Sequence, residues 1–267
     1  MKKILVTGAT GQIGSELTIT LRNSYGAANV VAAGHKRPAS SELMQSGPYC
    51  LLDVCDAGAL HQIVEENECD TIFHLASLLS AVAEEKPQQA WDINMNGLIN
   101  VLETSRLYEC AVFFPSSIAA FGTGAPAMDT PQDTQQRPTS LYGITKVSGE
   151  LLCDYYYHRF GVDTRGLRYP GLISSKTMPG GGTTDYAVDI FYAAIKNRHY
   201  DCFLRADTQL DMMYMPDAIN AAITIAFPFD IVSILIPIQT ISWIFTLKSF
   251  LSLPDVWWTA MTRTFSY

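Results

Sequence analysis

The chain alternates short, nearly continuous apolar runs with longer stretches in which apolar residues recur every three to four positions. The runs stand at 3–7, 30–33, 49–54, 71–76, 111–117 and 163–168. Runs this short and this apolar read as strands buried on both faces. The helical spacing over 15–21, 57–66, 88–108 and 140–160 predicts helices between them. Strand and helix alternate up to residue 168, so the fold class is α/β, a doubly wound parallel sheet. After 168 the pattern changes to a Pro/Gly-dense loop and a further helix at 186–197. The expected organisation is a sheet domain over 1–168 and a small C-terminal substrate lobe over 169–267.

The first strand runs into Gly8-Ala9-Thr10-Gly11-Gln12-Ile13-Gly14 and then a helix. Strand, glycine turn and helix in that order form a dinucleotide-binding start, with a pyrophosphate on the helix N-terminus. The spacing is GxxGxxG rather than GxGxxG. NAD-binding sheets usually place a carboxylate at the end of the second strand for the ribose 2′-hydroxyl. Here that place reads Gly34-His35-Lys36-Arg37. Two readings stay open, a place for the 2′-phosphate of NADP and a solvated charge cluster. Asp53, at the end of the third strand, is placed to meet an adenine amino group. His74 reads as a packed strand-end residue, and Asp92, Asn94 and Asn96 as polar groups tying neighbouring backbone together.

Tyr142 and Lys146 are one helical turn apart, and Ser117 ends the fifth strand. An ammonium held near a phenol favours the phenolate, so a Tyr in this setting can act as a general base. Ser117 would then hold a substrate oxygen against it. The alternative is a surface helical pair. Asp185 suits a substrate ammonium, or an N-cap for the helix at 186–197.

A net charge of −8 with a single basic triplet, His35-Lys36-Arg37, argues against nucleic acid and anionic membranes as partners. The six cysteines contain no CxxC, which suggests neither a zinc site nor a disulfide framework, and a reducing cytoplasm is expected. The N-terminal apolar run is too short for a signal peptide.

These motifs together resemble the extended short-chain dehydrogenase/reductases, with their Rossmann-type domain. More narrowly, Pro115-Ser-Ser-Ile-Ala-Ala-Phe-Gly122, Arg168-Tyr-Pro-Gly-Leu-Ile173, Pro179-Gly-Gly-Gly-Thr-Thr-Asp-Tyr-Ala187 and Asp211-Met-Met-Tyr-Met-Pro216 resemble the short-chain type of L-threonine 3-dehydrogenase. The resemblance covers residues 1 to about 226. It implies oxidation of L-threonine at C3 to 2-amino-3-oxobutanoate, a step of threonine catabolism, with hydride transfer to NAD and without a metal. It implies Tyr142 as the base, Lys146 as its activator and ribose ligand, and Ser117 as the partner of the substrate hydroxyl. The implied cofactor set is Gly8, Gly11, Gln12, Ile13, Gly14, Asp53, Val54, Leu75, Ala76, Tyr142, Lys146 and Tyr169. Substrate contacts would come from Ser80, Ser117, Tyr142, Thr183 and Asp185. A homodimer formed through the helices at 88–108 and 140–160 is implied as well. Competing readings are a nucleotide-sugar epimerase or dehydratase of the same superfamily, which keeps its NAD bound, and a non-catalytic dinucleotide-binding module.

Two departures stand out. Relatives carry an Asp in the Gly34-His35 region, and nothing of the family pattern follows Phe227. The segment 231–247 has no charge at all. A membrane helix needs about 20 apolar residues, and Pro237 and Gln239 interrupt this one. A membrane span, a buried lobe, and an altered reading frame or aberrant C-terminus are the alternatives for this tail.

Overall fold

The structure, a computed structural model, describes residues 2–178, 180–227 and 243–246. The readings made for the tail lie outside these residues, apart from Phe227 and Trp243–Thr246, as does Pro179. In chain order the sheet half comprises β1 (Ile4–Thr7), α1 (Gln12–Tyr25), β2 (Val30–Gly34), α2 (Ser41–Gln45), β3 (Tyr49–Leu51), α3 (Ala57–Glu66) and β4 (Thr71–His74). Then follow α4 (Ser80–Glu85), α5 (Pro87–Trp91), a π-helical turn at Asp92–Asn96, α6 (Gly97–Tyr108), β5 (Ala111–Ser117), α7 (Leu141–Phe160) and β6 (Thr164–Tyr169). The remainder holds β7 (Gly171–Ile173), α8 (Tyr186–Asn197), β8 (Gln209–Tyr214), α9 (Met215–Ala226) and β9 (Trp243–Thr246).

Six strands form one parallel sheet in the order β3-β2-β1-β4-β5-β6. The chain reverses direction between β1 and β4, and in such sheets the ligand crevice opens there, beyond the strands' carboxyl ends. Alternation along each strand feeds two cores. Ile4, Val6, Ala32, Phe73 and Phe113 pack with α1 and α9, while Leu5, Val31, Ile72, Val112 and Phe114 pack with α3, α6 and α7. Burial on both faces is why these runs carry no polar alternation. A second sheet pairs β7 with β8 in parallel and β8 with β9 antiparallel. Among the described residues, no helix is long and apolar enough to cross a membrane.

Three boundaries differ from the sequence expectation. The third strand stops at Leu51, because Asp53 turns back to accept the Cys55 amide at 3.0 Å. The helix expected over 88–108 is α5, a π-helical turn and α6 in succession. Its extra residue per turn points Asn94 inward, where it pairs with Leu78 through both backbone groups at 2.8 and 3.1 Å. Helix α9 follows residue 168 yet packs against β5 and β6, so this part of the chain completes a face of the main sheet.

Candidate active site

The glycine turn closes tightly on the strand beside it. Gly8 has φ +69°, and a Cβ there would lie 2.6 Å from the Ala76 nitrogen; one on Gly14 would lie 2.3 Å from the Gly8 oxygen. Only glycine permits this approach of α1 to β1 and of the turn to the end of β4. Gln12 Nε2 is buried beside the turn without a hydrogen-bond partner. A bare backbone cradle with a spare buried donor fits the pyrophosphate of a dinucleotide. Leu75 and Ala76 border the cradle, and Ala76 donates to Thr7 Oγ1 at 3.4 Å. Val54 is buried against Gly97.

Helix α7 is capped by Ser140, whose Oγ accepts the Gly143 amide at 3.1 Å, and ends at Gly161 in the left-handed region. The cap starts the helix so that Tyr142 and Lys146 face β5. Lys146 Nζ donates to the Pro115 carbonyl at 2.7 Å and lies 4.9 Å from the Phe114 ring and 5.3 Å from the Tyr142 ring. Ser117 accepts the Ala119 amide at 3.2 Å and hydrogen-bonds the Tyr142 phenol. Ser117, Tyr142 and Lys146 therefore form one cluster at the carboxyl end of β5. The surface-pair alternative does not hold, since Lys146 is 5% exposed.

The electrostatics differ from the expectation. Burial pushes the Tyr142 phenol up to about 12, opposed by the Ser117 hydrogen bond. Burial pulls Lys146 down to about 8. Desolvation dominates both groups, so the protein alone leaves the phenol protonated at neutral pH. One turn on, Glu150 joins Arg168 through two oxygens at 2.9 and 2.7 Å and also meets Ser116 and Gln136. Burial works to raise the Glu150 carboxyl, but these donors outweigh it and hold it below its usual range.

Behind Lys146 lies a cavity of about 10 Å³, lined by His74, Asn94, Phe114 and Thr145 among others, with room for about one water. His74 shares a 3.0 Å hydrogen bond with Thr7 Oγ1, as a packed strand-end residue. Burial pulls its pKa down to about 3, aided by Lys146. The folded imidazole thus resists a proton that the unfolded one takes up near pH 6.5. Stability should be full above pH 6.5 and fall from there toward pH 3, by about 1.4 kcal/mol per pH unit from this group. In His74→Asn, urea unfolding between pH 4 and 7 should show a shallower dependence; an unchanged slope counts against the assignment.

The expected substrate residues are gathered by α4. Ser80 Oγ accepts the Thr183 amide at 3.2 Å, across 103 residues of sequence. Asp185 Oδ2 accepts the amides of Gly181 and Gly182 at 2.8 and 2.7 Å. Asp185 stands at the N-cap position of α8, as one of its two expected roles has it, but caps the helix through its backbone carbonyl, which accepts the Asp189 amide at 2.9 Å, and not through its side chain. Burial raises its pKa, against the pull of those amides. Helix α4 packs on α7, and Glu84 accepts the Leu141 amide at 2.7 Å, which brings this cluster beside Tyr142.

The side chains of two expected cofactor residues have partners within the protein. The Tyr169 side chain lies in the core with α1 and α9, where its hydroxyl donates to the Ala218 carbonyl at 2.9 Å. Asp53 is half exposed and lies 3.7 Å from His35 Nε2. Glu84 and the Glu150–Arg168 pair were not among the expected site residues. Glu150 was signalled by its spacing, one turn beyond Lys146 on the same helix.

Comparison with known proteins gives the family. The model of the NAD dependent epimerase/dehydratase family matches residues 4–228. An uncharacterized epimerase/dehydratase of Staphylococcus saprophyticus is 53% identical over 223 residues, covering 84% of this chain and 70% of its own. The L-threonine dehydrogenase of Clostridium difficile is 59% identical with a TM-score of 0.79, over 84% of this chain and 70% of that one. A monomeric L-threonine 3-dehydrogenase from a metagenome is 45% identical with a TM-score of 0.78, over 82% and 70%. With its glycine cradle and buried Ser-Tyr-Lys cluster, the chain belongs to the NAD dependent epimerase/dehydratase family of enzymes, whose cofactor is NAD.

Proposed function

We propose that the chain oxidises L-threonine at C3 to 2-amino-3-oxobutanoate. The observation that carries this reading is the junction of two clusters, Ser117-Tyr142-Lys146 and Ser80-Thr183-Asp185, through α4. The first cluster suits a secondary alcohol and the second a zwitterionic amino acid. Residues 1–168 hold the dinucleotide, and the segment from 169 on carries the loop that meets the substrate.

Tyr142 takes the hydroxyl proton and Ser117 orients the hydroxyl oxygen. Lys146 holds positive charge beside the phenol and would hold the nicotinamide ribose of the cofactor. Asp185 meets the substrate ammonium, while Ser80 and Thr183 bind the amino-acid end. NAD held in the glycine cradle would supply the acceptor for the C3 hydride and a positive charge favouring the phenolate that burial opposes. The epimerase reading is weaker, because Asp185 and its glycine loop present a carboxylate where a nucleotide diphosphate needs cations.

Exposed apolar residues mark the outer faces of α5, α6 and α7: Trp91, Ile99, Leu107, Ile144, Leu151 and Tyr155. They support a homodimer through these helices, although one similar enzyme is described as monomeric. Six free thiols are in keeping with a cytoplasmic enzyme. The test is NADH formation by purified protein with NAD and L-threonine. Turnover of threonine, but not of UDP-sugars, is the expected result; the reverse overturns the proposal.

A further inference from the structure

The end of β2 is rebuilt in a way that changes what the adenosine ribose meets. Gly34 stands about 20 residues after the glycine turn, where a carboxylate selects the free 2′-hydroxyl of NAD. A Cβ at Gly34 would lie 2.4 Å from the Tyr49 hydroxyl and 2.8 Å from Thr10 Cγ2. Parallel pairing sets Tyr49 opposite Ala32, so its ring reaches forward along β2 and its hydroxyl arrives beside Gly34. Position 34 therefore cannot carry a side chain while Tyr49 keeps its place. A neutral donor and acceptor has taken the position of the anion.

Beside this point Thr10 opens onto a cavity of about 310 Å³. Arg37 and Lys176 line it from opposite segments, together with the hydroxyl residues Ser15, Ser40 and Thr177. Ser15 and Thr177 are joined by a 3.0 Å hydrogen bond that fixes the Lys176 segment to α1. Two carboxylates also line the cavity. Glu16 already accepts the Ser174 hydroxyl at 2.5 Å, and Glu42 lies in the first turn of α2. His35 faces away toward Asp53, so it is not the anion ligand.

We infer that this chain accepts the 2′-phosphate of NADP as well as NAD, with Tyr49 in the place of the ribose-selecting carboxylate and Arg37 and Lys176 as phosphate ligands. The inference rests on the dinucleotide-binding part of the proposed function and not on its substrate. An Arg offers a fork that matches phosphate oxygens, and a removed carboxylate takes away the repulsion that excludes them.

Equilibrium titration of purified protein by nicotinamide fluorescence, with NADH and with NADPH, tests it without turnover. NADPH should bind within about tenfold of NADH. Arg37→Ala should shift the ratio of the two dissociation constants about tenfold against NADPH, the worth of roughly one charge-assisted hydrogen bond. Gly34→Asp combined with Tyr49→Phe and Thr10→Ser, which removes both of the closest contacts, should shift it at least as far. Arg37 is exposed, so its variant folds even if the triple variant does not. A parent preference for NADH beyond about tenfold, or an Arg37→Ala ratio that does not move, overturns the inference. Threonine turnover alongside such a preference overturns this inference alone, whereas binding of neither dinucleotide overturns the proposed function with it.

Discussion

Tyr142→Phe should remove the proposed threonine oxidation almost completely, lowering kcat about 10²–10⁴-fold, the range for loss of a positioned general base. The substitution deletes one oxygen from a buried side chain whose hydroxyl partner, Ser117, still has the Ala119 amide. The fold should tolerate it, and NADH affinity should change by less than about threefold, because the glycine cradle and Lys146 remain. The decisive comparison is kcat against the dissociation constant of NADH in one preparation. Retention of more than about a tenth of parental kcat removes Tyr142 from the role of base, since even the weakest base contribution exceeds that.

Lys146→Met has two effects of opposite sign. Turnover in the proposed reaction should fall, by about 10²-fold or more, because no cation would remain beside the phenol. Stability of the cofactor-free protein at pH 7 rises, by on the order of 1 kcal/mol. The sign follows from proton uptake. The folded lysine has its pKa pulled down to about 8 against the ordinary 10.5, so the unfolded state binds more protons between these values. Burying the ammonium therefore costs stability at neutral pH, and the cost fades as pH rises from 8 to 10.5. The gain from Met is reduced by the Pro115 carbonyl, which loses its donor. Thermal melts of both proteins should differ at pH 7 and converge toward pH 10.5. A parent more stable than the variant at pH 7 would mean that the Pro115 bond outweighs desolvation.

The sheet was legible because burial on both faces leaves an unmistakable mark: Ile4-Leu-Val, Val30-Val-Ala-Ala and Val112-Phe-Phe have no polar member. The glycine turn and the Tyr142/Lys146 pair were legible because both depend on neighbours in sequence. What depended on distance in space was not. The contact between the Tyr49 hydroxyl and Gly34 joins two strands by an approach of side chain to backbone that no periodicity records. Tyr169 ends β6 one residue beyond the expected strand, and its ring turns into the core to reach Ala218 on a helix 49 residues later. The acidity of Tyr142 was misread for a related reason. Spacing shows that a cation is near, but not how much water both groups have lost, and here the second effect wins.

The π-helical turn at Asp92–Asn96 is encoded by length rather than by composition. An α-helix advances about 100° per residue, so removing one residue from this turn would rotate everything beyond it by about that angle. Asn94 would lose Leu78, or Leu98, Val101 and Leu102 would leave the sheet they cover. Exchanging the exposed side chains of Asp92 or Asn96 disturbs neither contact. In this segment a one-residue gap in an alignment is therefore a sharper warning of altered function than several mismatches, and grafts across it must preserve the count.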